Sequence, residues 1–435
     1  MHIKALRGTT DILSPAVEKW QAVETVARDV FRLYGFKEIR TPLLEETILF
    51  TRSLGEVTDI VEKQMYSFTD RGERSISLRP EGTASVVRAY VEHHLAQRAG
   101  VTRLFYIGPM FRAERPQAGR YRQFHQIGGE AIGSYEARLD AEILSLISFF
   151  FERLGLTGHI LKLNTLGCKE EDKKTIDSSL KEYPGEHRSS LCEDCRRRFE
   201  KNIYRILDCK EPGCQKIVQN FPPLFEKICQ PCKEHFEKVK QALSLYKIDY
   251  VISPHLVRGL DYYTQTAFEI THPLLGAQDA IAAGGRYNNL VTELGGGESE
   301  EGGVRGSSGG AIGFSIGFER LIMVLEAQKM DIGKVEPVEV FIATIGEKSE
   351  EESFRLLNSL RSKGISCLAN FDPKTLKAQM RLANALQAKR VLIIGEDELK
   401  ENVVTLREMA TSKEEKVHQD ILVKEILRRM KEEGE

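Results

Sequence analysis

Apolar residues at helical spacing mark the first element of the chain. A spacing of three to four residues places them on one buried face of a helix; they are Val17, Trp20, Val23, Ala27, Val30, Phe31 and Tyr34. Ser14 is suited to cap this helix, Pro15 to its first position, and Gly35 to its end. The pattern therefore predicts a helix between Pro15 and Gly35.

Two stretches rich in aromatic and β-branched residues predict a β-hairpin. They span residues 104–112 and 122–132 and are separated by a polar, arginine-rich loop. Since alternate residues of a strand share a face, Arg112, Gln126 and Glu130 are expected to point into one pocket beside glycines. The same alternation is also typical of a sheet face that is open to solvent.

The remaining pattern divides the chain into three parts. The pattern predicts helices at residues 83–97 and 137–154, and strands at residues 250–252, 265–270 and 311–316. Residues 169–246 are charged, cysteine-rich and irregularly helical, which indicates an insertion. Short β–α alternation after residue 334 predicts a compact α/β domain. We therefore expect a catalytic domain at 1–168 and 247–330, an insertion at 169–246 and a final domain at 335–435. A mobile surface loop is expected within Gly295–Gly310.

Composition and charge change this picture only slightly. The 435 residues carry 62 basic and 64 acidic side chains, a net charge of -2, so bulk charge does not favour a nucleic-acid partner. The N-terminus lacks an apolar core of signal-peptide length, and the most apolar stretch, residues 143–151, is too short to span a bilayer. We expect a cytoplasmic protein with reduced cysteines.

Several polar clusters are candidates for chemistry. Residues 79–83 precede a helix, where Glu81 and Thr83 are suited to bind an ammonium group or simply to cap the helix. Residues 256–264 hold an arginine, an aspartate and two tyrosines beside apolar strands. Arginines also follow glycines at 284–286 and 317–320, where each is suited to reach a phosphate or to lie on the surface. The phosphate-binding pattern GxxxxGK[ST] is absent.

Six cysteines fall inside the expected insertion, and they are Cys192, Cys195, Cys209, Cys214, Cys229 and Cys232. Two CxxC pairs favour tetrahedral zinc in a reducing compartment, whereas a set of free thiols is the alternative. The first choice of ligands is Cys192, Cys195, Cys229 and Cys232. A zinc ion there is expected to be structural and far from the chemistry.

Five segments in order resemble known signatures. Gly35–Pro42, Phe111–Arg115 with Arg122–Gln126, and Gly313–Arg320 resemble the three signatures of class II aminoacyl-tRNA synthetases. Leu256–Tyr263 and Ala283–Tyr287 resemble segments particular to the histidyl-tRNA synthetase family. The resemblance covers nearly the whole chain. It implies an α+β catalytic domain with an antiparallel sheet, a mostly helical insertion and a C-terminal α/β anticodon-binding domain.

The resemblance also implies roles for particular residues. Arg112 and Arg258 act at the α-phosphate, and the ATP-binding set is Arg112, Arg120, Arg258 and Arg320. The histidine-binding set is Glu81, Thr83, Gln126, Glu130, Tyr262, Tyr263 and Tyr287. Within it, Glu130 accepts from one imidazole nitrogen and Tyr263 serves the other. Arg115 and Gln117 are candidates for reading the tRNA acceptor end.

The implied activity is that of a histidine–tRNA ligase. It uses ATP and Mg²⁺ to form histidyl-adenylate, transfers histidine to the 3′ end of tRNA(His), and releases AMP and pyrophosphate. The first signature implies a homodimer. Two alternatives stay open: a regulatory subunit that keeps the fold without aminoacylation, and an RNA-binding module without catalysis.

Overall fold

The computed structural model divides the chain into two compact units, residues 1–334 and 335–435. It describes residues 3–55, 58, 60–97, 100–117, 119–168, 171–201, 203–209, 211–296, 310–372 and 374–434. Among these residues, no helix is both long and apolar enough to cross a membrane. The predicted mobile loop within Gly295–Gly310 lies almost wholly outside the described residues.

An eight-stranded sheet forms the centre of the first unit. The strands of this unit, which include three outside the large sheet, are β1 (Lys37–Glu38), β2 (Leu44–Glu46), β3 (Ser67–Thr69), β4 (Ser75–Leu78), β5 (Thr102–Phe111), β6 (Gln123–Ile132), β7 (Ile160–Thr165), β8 (Val251–Ile252), β9 (Thr264–Thr271), β10 (Ala280–Arg286) and β11 (Ala311–Gly317). The large sheet has the order β1-β5-β6-β11-β10-β9-β7-β8, and β2, β4 and β3 form a small separate sheet. The central strand pairs of the large sheet are antiparallel. Its two short edge strands are parallel to their neighbours, β1 to β5 and β8 to β7.

Helices of the first unit cover both faces of the large sheet, and others form the segment between β7 and β8. They are α1 (Ala16–Leu33), α2 (Thr47–Leu54), α3 (Thr83–Glu92), α4 (Ala137–Arg153), α5 (Glu171–Glu186), α6 (Glu193–Lys201), α7 (Pro212–Gln219), α8 (Gln230–Leu245), α9 (Leu290–Glu293) and α10 (Phe318–Ala327). One core joins α1, α4, α8 and α10 to the sheet, and another joins α2, α3 and α9 to its opposite face. On β5, Phe105 belongs to the first core whereas Leu104 and Tyr106 belong to the second, as strand alternation requires.

The start of α1 differs from the prediction. The N-cap position is occupied by Pro15 rather than Ser14, and no side chain accepts a hydrogen bond from the first backbone N–H groups of the helix. The predicted end is correct, because Gly35 follows the helix with a φ of 76°, a conformation that favours glycine. Helix α3 is also shorter than predicted: it ends at Glu92, and Leu95–Gln97 is a separate 3-10 turn.

The register of the hairpin brings the two predicted strand faces together. Tyr106 lies opposite Gly128, and Gly108 lies opposite Gln126 across the antiparallel β5–β6 pair. Leu104 is the partner of Glu130 in the same ladder. Gln126 and Glu130 of β6 therefore lie on one face of the sheet together with Gly108 and Gly128.

The segment between β7 and β8 is helical, as its composition indicated. Helices α5, α6, α7 and α8 follow one another there, joined by 3-10 turns at Arg188–Ser190, Ile203–Ile206 and Leu224–Glu226. Four cysteines lie within its apolar core together with Ile206 and Leu224, namely Cys195, Cys209, Cys214 and Cys232, and Cys168, Cys192 and Cys229 pack against this core. This core is distinct from the two that cover the large sheet.

The second unit is a mixed sheet with helices. Its elements are β12 (Val340–Thr344), α11 (Glu347–Arg361), β13 (Cys367–Ala369), α12 (Leu376–Ala385), β14 (Arg390–Ile394), α13 (Glu396–Glu401), β15 (Val403–Glu408), β16 (Glu414–His418) and α14 (Gln419–Gly434). The strand order is β13-β12-β14-β15-β16, parallel among the first three and antiparallel beyond them. Arg390 is almost fully buried and pairs with Glu339 and Glu408.

Candidate active site

A cleft of about 770 Å³ opens on the face of the large sheet that carries Gln126. Residues from strand β6, from the loop that follows β5, from the start of α3 and from the segment before β9 line it. They include the predicted site residues Glu81, Thr83, Arg112, Arg120, Gln126, Arg258, Tyr262, Tyr263 and Arg320. An adjoining space of about 220 Å³ lies against Phe124, Ala283 and Gly317 and shares Arg112, Arg258 and Arg320 with the cleft.

Four arginines converge on this space. Arg112 donates through Nε to the carbonyl of Pro80 at 3.0 Å and stacks over the Phe124 ring at 5.1 Å. Arg320 donates to the carbonyls of Gly119 and Ala280 at 3.0 and 2.8 Å. Burial lowers the pKa of Arg320, and the nearby charge of Arg120 lowers it further. Because backbone carbonyls orient two of the arginines, the group is arranged to receive a polyanion.

Arg258 is held from the opposite wall. Its Nη1 donates to Oε2 of Glu269 on β9 at 2.7 Å, and both side chains are about one-fifth exposed. Its Nε atom is buried and lacks a hydrogen-bond partner among the described residues, as does Oε1 of Gln126. Buried polar atoms are normally paired, so these two atoms are best explained by a ligand that enters the cleft.

The two polar residues at the start of α3, Glu81 and Thr83, have different hydrogen-bond partners. The two carboxylate oxygens of Glu81 accept the backbone N–H groups of Thr83 and Ala84 at 2.7 and 2.8 Å, so Glu81 caps the helix. The Thr83 hydroxyl instead donates to Oε1 of Glu130 at 2.7 Å. Burial raises the pKa of Glu81, and its two backbone hydrogen bonds oppose that shift.

Glu130 lies fully buried beneath the cleft and does not belong to its lining surface. The hydroxyl of Tyr287 donates to its Oε2 at 2.5 Å, and Thr83 occupies its Oε1. Burial raises the pKa of Glu130 to about 8, against the effect of these two hydrogen bonds. A carboxylate can accept about four hydrogen bonds, so Glu130 retains capacity for a ligand N–H.

Three tyrosines form the wall beside Glu130. The rings of Tyr262 and Tyr263 lie 4.6 Å apart, and those of Tyr262 and Tyr287 lie 5.7 Å apart in an edge-to-face arrangement. Burial raises the pKa of all three hydroxyls, which keeps them protonated and able to donate. The predicted histidine-binding residues therefore share one region, Glu130 and Tyr287 in its floor and the others on the surface.

Glycines make room for this arrangement. A Cβ atom on Gly313 would lie 1.6 Å from Oε2 of Glu130. The ring of Tyr106 packs against Gly82 and Gly128, where added Cβ atoms would come within 2.3 and 2.2 Å of it. Tyr106 belongs to the site although the sequence reasoning did not select it. The only signal for it was its place on the same strand face as Arg112.

Two acidic residues of the cleft were also missed. Glu114 lies 3.3 Å from Arg120 and 4.0 Å from Arg112, and Glu269 holds Arg258. Glu114 is two residues after Arg112 in an extended segment, which was a usable sign of proximity. Glu269 lies on a different strand from Arg258, so only the tertiary structure brings this pair together.

Other candidates lie elsewhere. Arg286, expected either at a phosphate or on the surface, is fully buried and forms a 2.6 Å ion pair with Asp140, itself fully buried. It also donates to the carbonyls of Ser134 and Glu136. Both expectations for Arg286 are wrong, because its charge is already neutralised inside the core. Arg115 and Gln117 are exposed on the loop between β5 and β6, outside the cleft lining.

The cysteines do not group as expected. One cluster contains Cys192, Cys195, Cys209 and Cys214, and another contains Cys168, Asp172, Cys229 and Cys232. The four first-choice zinc ligands are therefore split between two places, because each CxxC pair turns toward a different neighbour. Cys192 and Cys209 line the same cleft as Arg112 and Arg258, so the first cluster lies at the cleft wall, whereas no cysteine of the second cluster is among the lining residues.

An antiparallel sheet that presents convergent arginines beside a buried acidic pocket defines the class: the catalytic fold of class II aminoacyl-tRNA synthetases, as the three signatures predicted. A family model described as Histidyl-tRNA synthetase matches residues 8–171 and 223–321. A second, described as Anticodon binding domain, matches residues 339–429.

Individual proteins agree with these matches. The histidine–tRNA ligase of Halothermothrix orenii is 46% identical over 98% of this chain and 99% of its own length. That of Natranaerobius thermophilus is 45% identical over 94% of this chain and 95% of its own. The crystal structure of apo histidyl-tRNA synthetase from S. aureus superposes with a TM-score of 0.81 at 34% identity, covering 98% of this chain and 100% of that one. The chain belongs to the histidyl-tRNA synthetase family.

Proposed function

We propose that the chain is a histidine–tRNA ligase. It activates histidine with ATP to histidyl-adenylate, transfers the histidyl group to the 3′ end of tRNA(His), and releases AMP and pyrophosphate. The observation that carries this proposal is the cleft itself. Its convergent arginines suit a triphosphate. Beneath it lies the buried carboxyl of Glu130, which accepts hydrogen bonds from two hydroxyl groups and can accept a further one from an imidazole N–H.

The arginines take the phosphate side. Arg112 and Arg258 flank the α-phosphate, where they stabilise the charge that develops during the displacement. Arg120 and Arg320 hold the rest of ATP, and the rigid guanidinium of Arg320 suits both stacking and phosphate contact. Mg²⁺ bound with ATP supplies further neutralisation of the phosphates. The carboxylates of Glu114, Glu269 and Glu319 line the site and offer the hard oxygen ligands that Mg²⁺ prefers.

The acidic pocket takes the histidine side. Glu130 accepts one imidazole N–H, and the hydroxyl of Tyr263 donates to the other ring nitrogen. Glu81, Thr83 and Gln126 lie at the pocket entrance, where their oxygens suit the α-ammonium group. Tyr262 and Tyr287 complete the wall. A side chain without a donor and an acceptor in these positions would leave buried polar groups unpaired, which is a strong basis for selectivity.

The chemistry is two displacements controlled by position. The histidine carboxylate attacks the α-phosphate and pyrophosphate departs. The terminal ribose hydroxyl of the tRNA then attacks the adenylate carbonyl and AMP departs. No side chain acts as a nucleophile, so the contribution of the protein is orientation and electrostatic stabilisation of both transition states. The fixed hydrogen bonds of Arg112 and Arg320 to backbone carbonyls support that contribution.

We assign the tRNA contacts to two places. Arg115 and Gln117 are exposed on the loop beside the cleft, where they can meet the acceptor end. The C-terminal unit takes the anticodon, a single-stranded loop of the kind that RNA-binding domains read. We propose domain limits of 1–168 and 247–330 for the catalytic domain, 169–246 for the insertion and 335–435 for the anticodon-binding domain.

We also propose a cytoplasmic homodimer. Large apolar side chains follow the first signature segment on the small sheet and on α2 and are exposed: Leu43 by 41%, Leu44 by 47%, Ile48 by 59% and Phe68 by 48%. Exposed apolar groups so close together support an interface. Ile48→Asp should shift the mass measured by light scattering from dimer to monomer, and an unchanged dimer would contradict this surface.

We further propose that the insertion holds structural zinc. Four thiols, or three thiols and a carboxylate, are ligand sets that zinc accepts in structural sites. The cysteines first selected are divided between two clusters, so each cluster is a candidate site of its own.

Histidine-dependent ATP–pyrophosphate exchange tests the proposed function. Exchange with histidine alone among the twenty amino acids, followed by charging of tRNA(His), is the expected result. Tight histidine binding without exchange would indicate a regulatory subunit instead. RNA binding without histidine binding would indicate a module that lacks catalysis. Either result would overturn the assignment of Arg112 and Arg258.

A further inference from the structure

Seven of the eight cysteines lie in two separate clusters, and all eight are free thiols. In the first cluster, the sulfur atoms of Cys192, Cys195, Cys209 and Cys214 all lie within 4.8 Å of one another. In the second, the same limit holds for Cys168, Asp172, Cys229 and Cys232. We propose that each cluster binds one zinc ion, so that the chain holds two. This inference deepens the zinc proposal above.

The first cluster has the dimensions of a tetrahedral sulfur site. The Sγ atoms of Cys192 and Cys209 are 3.9 Å apart. A disulfide needs about 2 Å, whereas two sulfurs each bonded to zinc at about 2.3 Å at the tetrahedral angle lie about 3.8 Å apart. The backbone N–H groups of Cys192 and Cys195 point at Sγ of Cys214 and of Cys192, at 3.2 and 3.4 Å.

The second cluster replaces one thiol by a carboxylate. Asp172 accepts the backbone N–H groups of Cys168 and Cys229 at 2.8 and 2.6 Å, which fixes its oxygens beside the three sulfurs. Gly167 allows this approach, because a Cβ atom there would come within 2.5 Å of Asp172. Three thiolates and one carboxylate would bring a concentrated negative charge into a partly buried place. A divalent cation neutralises that charge, and zinc accepts mixed sulfur and oxygen ligands.

The two sites would stabilise different parts of the insertion. The second joins its two ends, since Cys168 follows β7 and Cys229 precedes α8, and Nε2 of Gln265 on β9 lies 3.9 Å from Sγ of Cys232. It therefore fastens the insertion to the catalytic sheet. The first joins α6, α7 and the segment between them inside the insertion.

The first site also shapes the cleft wall. Cys192, Cys209 and Arg205 line the cleft. A Cβ atom on Gly259 would lie 2.6 Å from Nη1 of Arg205, so Arg205 packs directly against the segment that carries Arg258. A metal at the first site would hold this wall in place. Its loss should impair the activation reaction more than loss of the second ion.

Elemental analysis of the purified full-length protein tests the stoichiometry. We expect about two zinc ions per chain in the wild type. Cys195→Ser with Cys214→Ser, and separately Cys229→Ser with Cys232→Ser, should each leave about one. Cys367→Ser is the matched control, because that cysteine is buried in the C-terminal unit outside both clusters, and it should retain both ions. Zinc content near zero or near one in the wild type, or iron in place of zinc, would overturn the proposal.

X-ray absorption at the zinc edge tests the ligands without any variant and so does not depend on whether the variants fold. The two sites together should give an average of about 3.5 sulfur ligands near 2.3 Å and about 0.5 oxygen ligands per zinc. Coordination by sulfur alone would contradict the second site. Coordination dominated by nitrogen or oxygen would contradict both.

Exchange activity of the same preparations separates this inference from the proposed function. Two zinc ions without histidine-dependent exchange would refute the ligase function and leave the metal sites intact. Full exchange without zinc would refute the metal sites and leave the function intact. Among the variants, the first-site pair should lose more exchange activity than the second-site pair. Equal, unimpaired activity in both would contradict the role given to the first ion in the cleft wall.

Discussion

The hydroxyl of Tyr287 donates a 2.5 Å hydrogen bond to Oε2 of Glu130, and both side chains are buried beneath the cleft. Glu130 lies on β6 and Tyr287 directly follows β10, and these two strands are separated in the sheet by β11. Gly313 of β11 lies between them and lets the carboxyl approach its backbone. The pair therefore forms a polar floor that depends on three strands at once.

Glu130→Gln should change how stability depends on pH. Burial raises the folded-state pKa of Glu130 from 4.5 to about 8, so the folded state holds this proton more tightly than the unfolded state. The free energy of unfolding of the wild type should therefore fall as pH rises through that interval. The glutamine of the variant carries no titratable proton. The free energy of unfolding of the variant relative to that of the wild type should therefore rise as the pH increases from 4.5 to about 8. Urea unfolding at several pH values measures the difference.

The matched control for this measurement is Glu152→Gln, at an exposed glutamate on α4. Its stability should follow that of the wild type at every pH. A constant difference between Glu130→Gln and the wild type across the interval would show that Glu130 does not titrate in this way.

Tyr287→Phe should weaken histidine binding. The change removes one of the two hydroxyl donors to Glu130 and leaves the ring in place. A hydrogen bond contributes about 0.5–1.5 kcal/mol, so the KM for histidine should rise about two- to tenfold while the KM for ATP changes little. Exchange kinetics measure both values. Tyr135→Phe, at a tyrosine that is 56% exposed, is the control and should leave both KM values unchanged. An unaltered KM for histidine in Tyr287→Phe would argue against this pocket.

Arg258→Ala should lower kcat for exchange about 10²–10³-fold, the usual effect of removing one group that stabilises transition-state charge. Glu269→Gln should have a smaller effect in the same direction, because it releases Arg258 from its 2.7 Å ion pair without removing the guanidinium. Arg138→Ala, at an exposed arginine on α4, is the control and should behave as the wild type. Equal kcat values for Arg258→Ala and Arg138→Ala would remove Arg258 from the mechanism.

Gly313→Ala should abolish histidine-dependent exchange by steric means. The added Cβ atom would lie 1.6 Å from Oε2 of Glu130, so the carboxyl must leave its position in the floor. Histidine binding measured by calorimetry should be lost, whereas ATP binding should remain. Gly213→Ala on α7 has no heavy atom within 4 Å of the new methyl group and should bind both substrates. Normal histidine binding by Gly313→Ala would show that this close approach is not needed.

Local pattern was enough to predict most of the elements near the site. The β5–β6 hairpin and its shared face followed from alternation, because side chains of a strand point to opposite faces at a period of two. The end of α1 at Gly35 and the helical insertion also followed from local sequence. Strands β2, β3, β4, β7, β10 and β16 were not predicted, since short strands that contain glycine or polar residues resemble loops until their neighbours pair with them.

The sequence by itself determined the class of fold, the family resemblance and the residue types of the candidate site, since these depend on local spacing and on motifs. Only the tertiary structure decided which groups meet. It paired Arg258 with Glu269, buried Arg286 against Asp140, and sent the two CxxC pairs to different clusters. The physical reason is that such contacts join residues far apart in the chain. Their partners are set by strand order and helix packing, which cannot be predicted from the spacing of the residues along the chain.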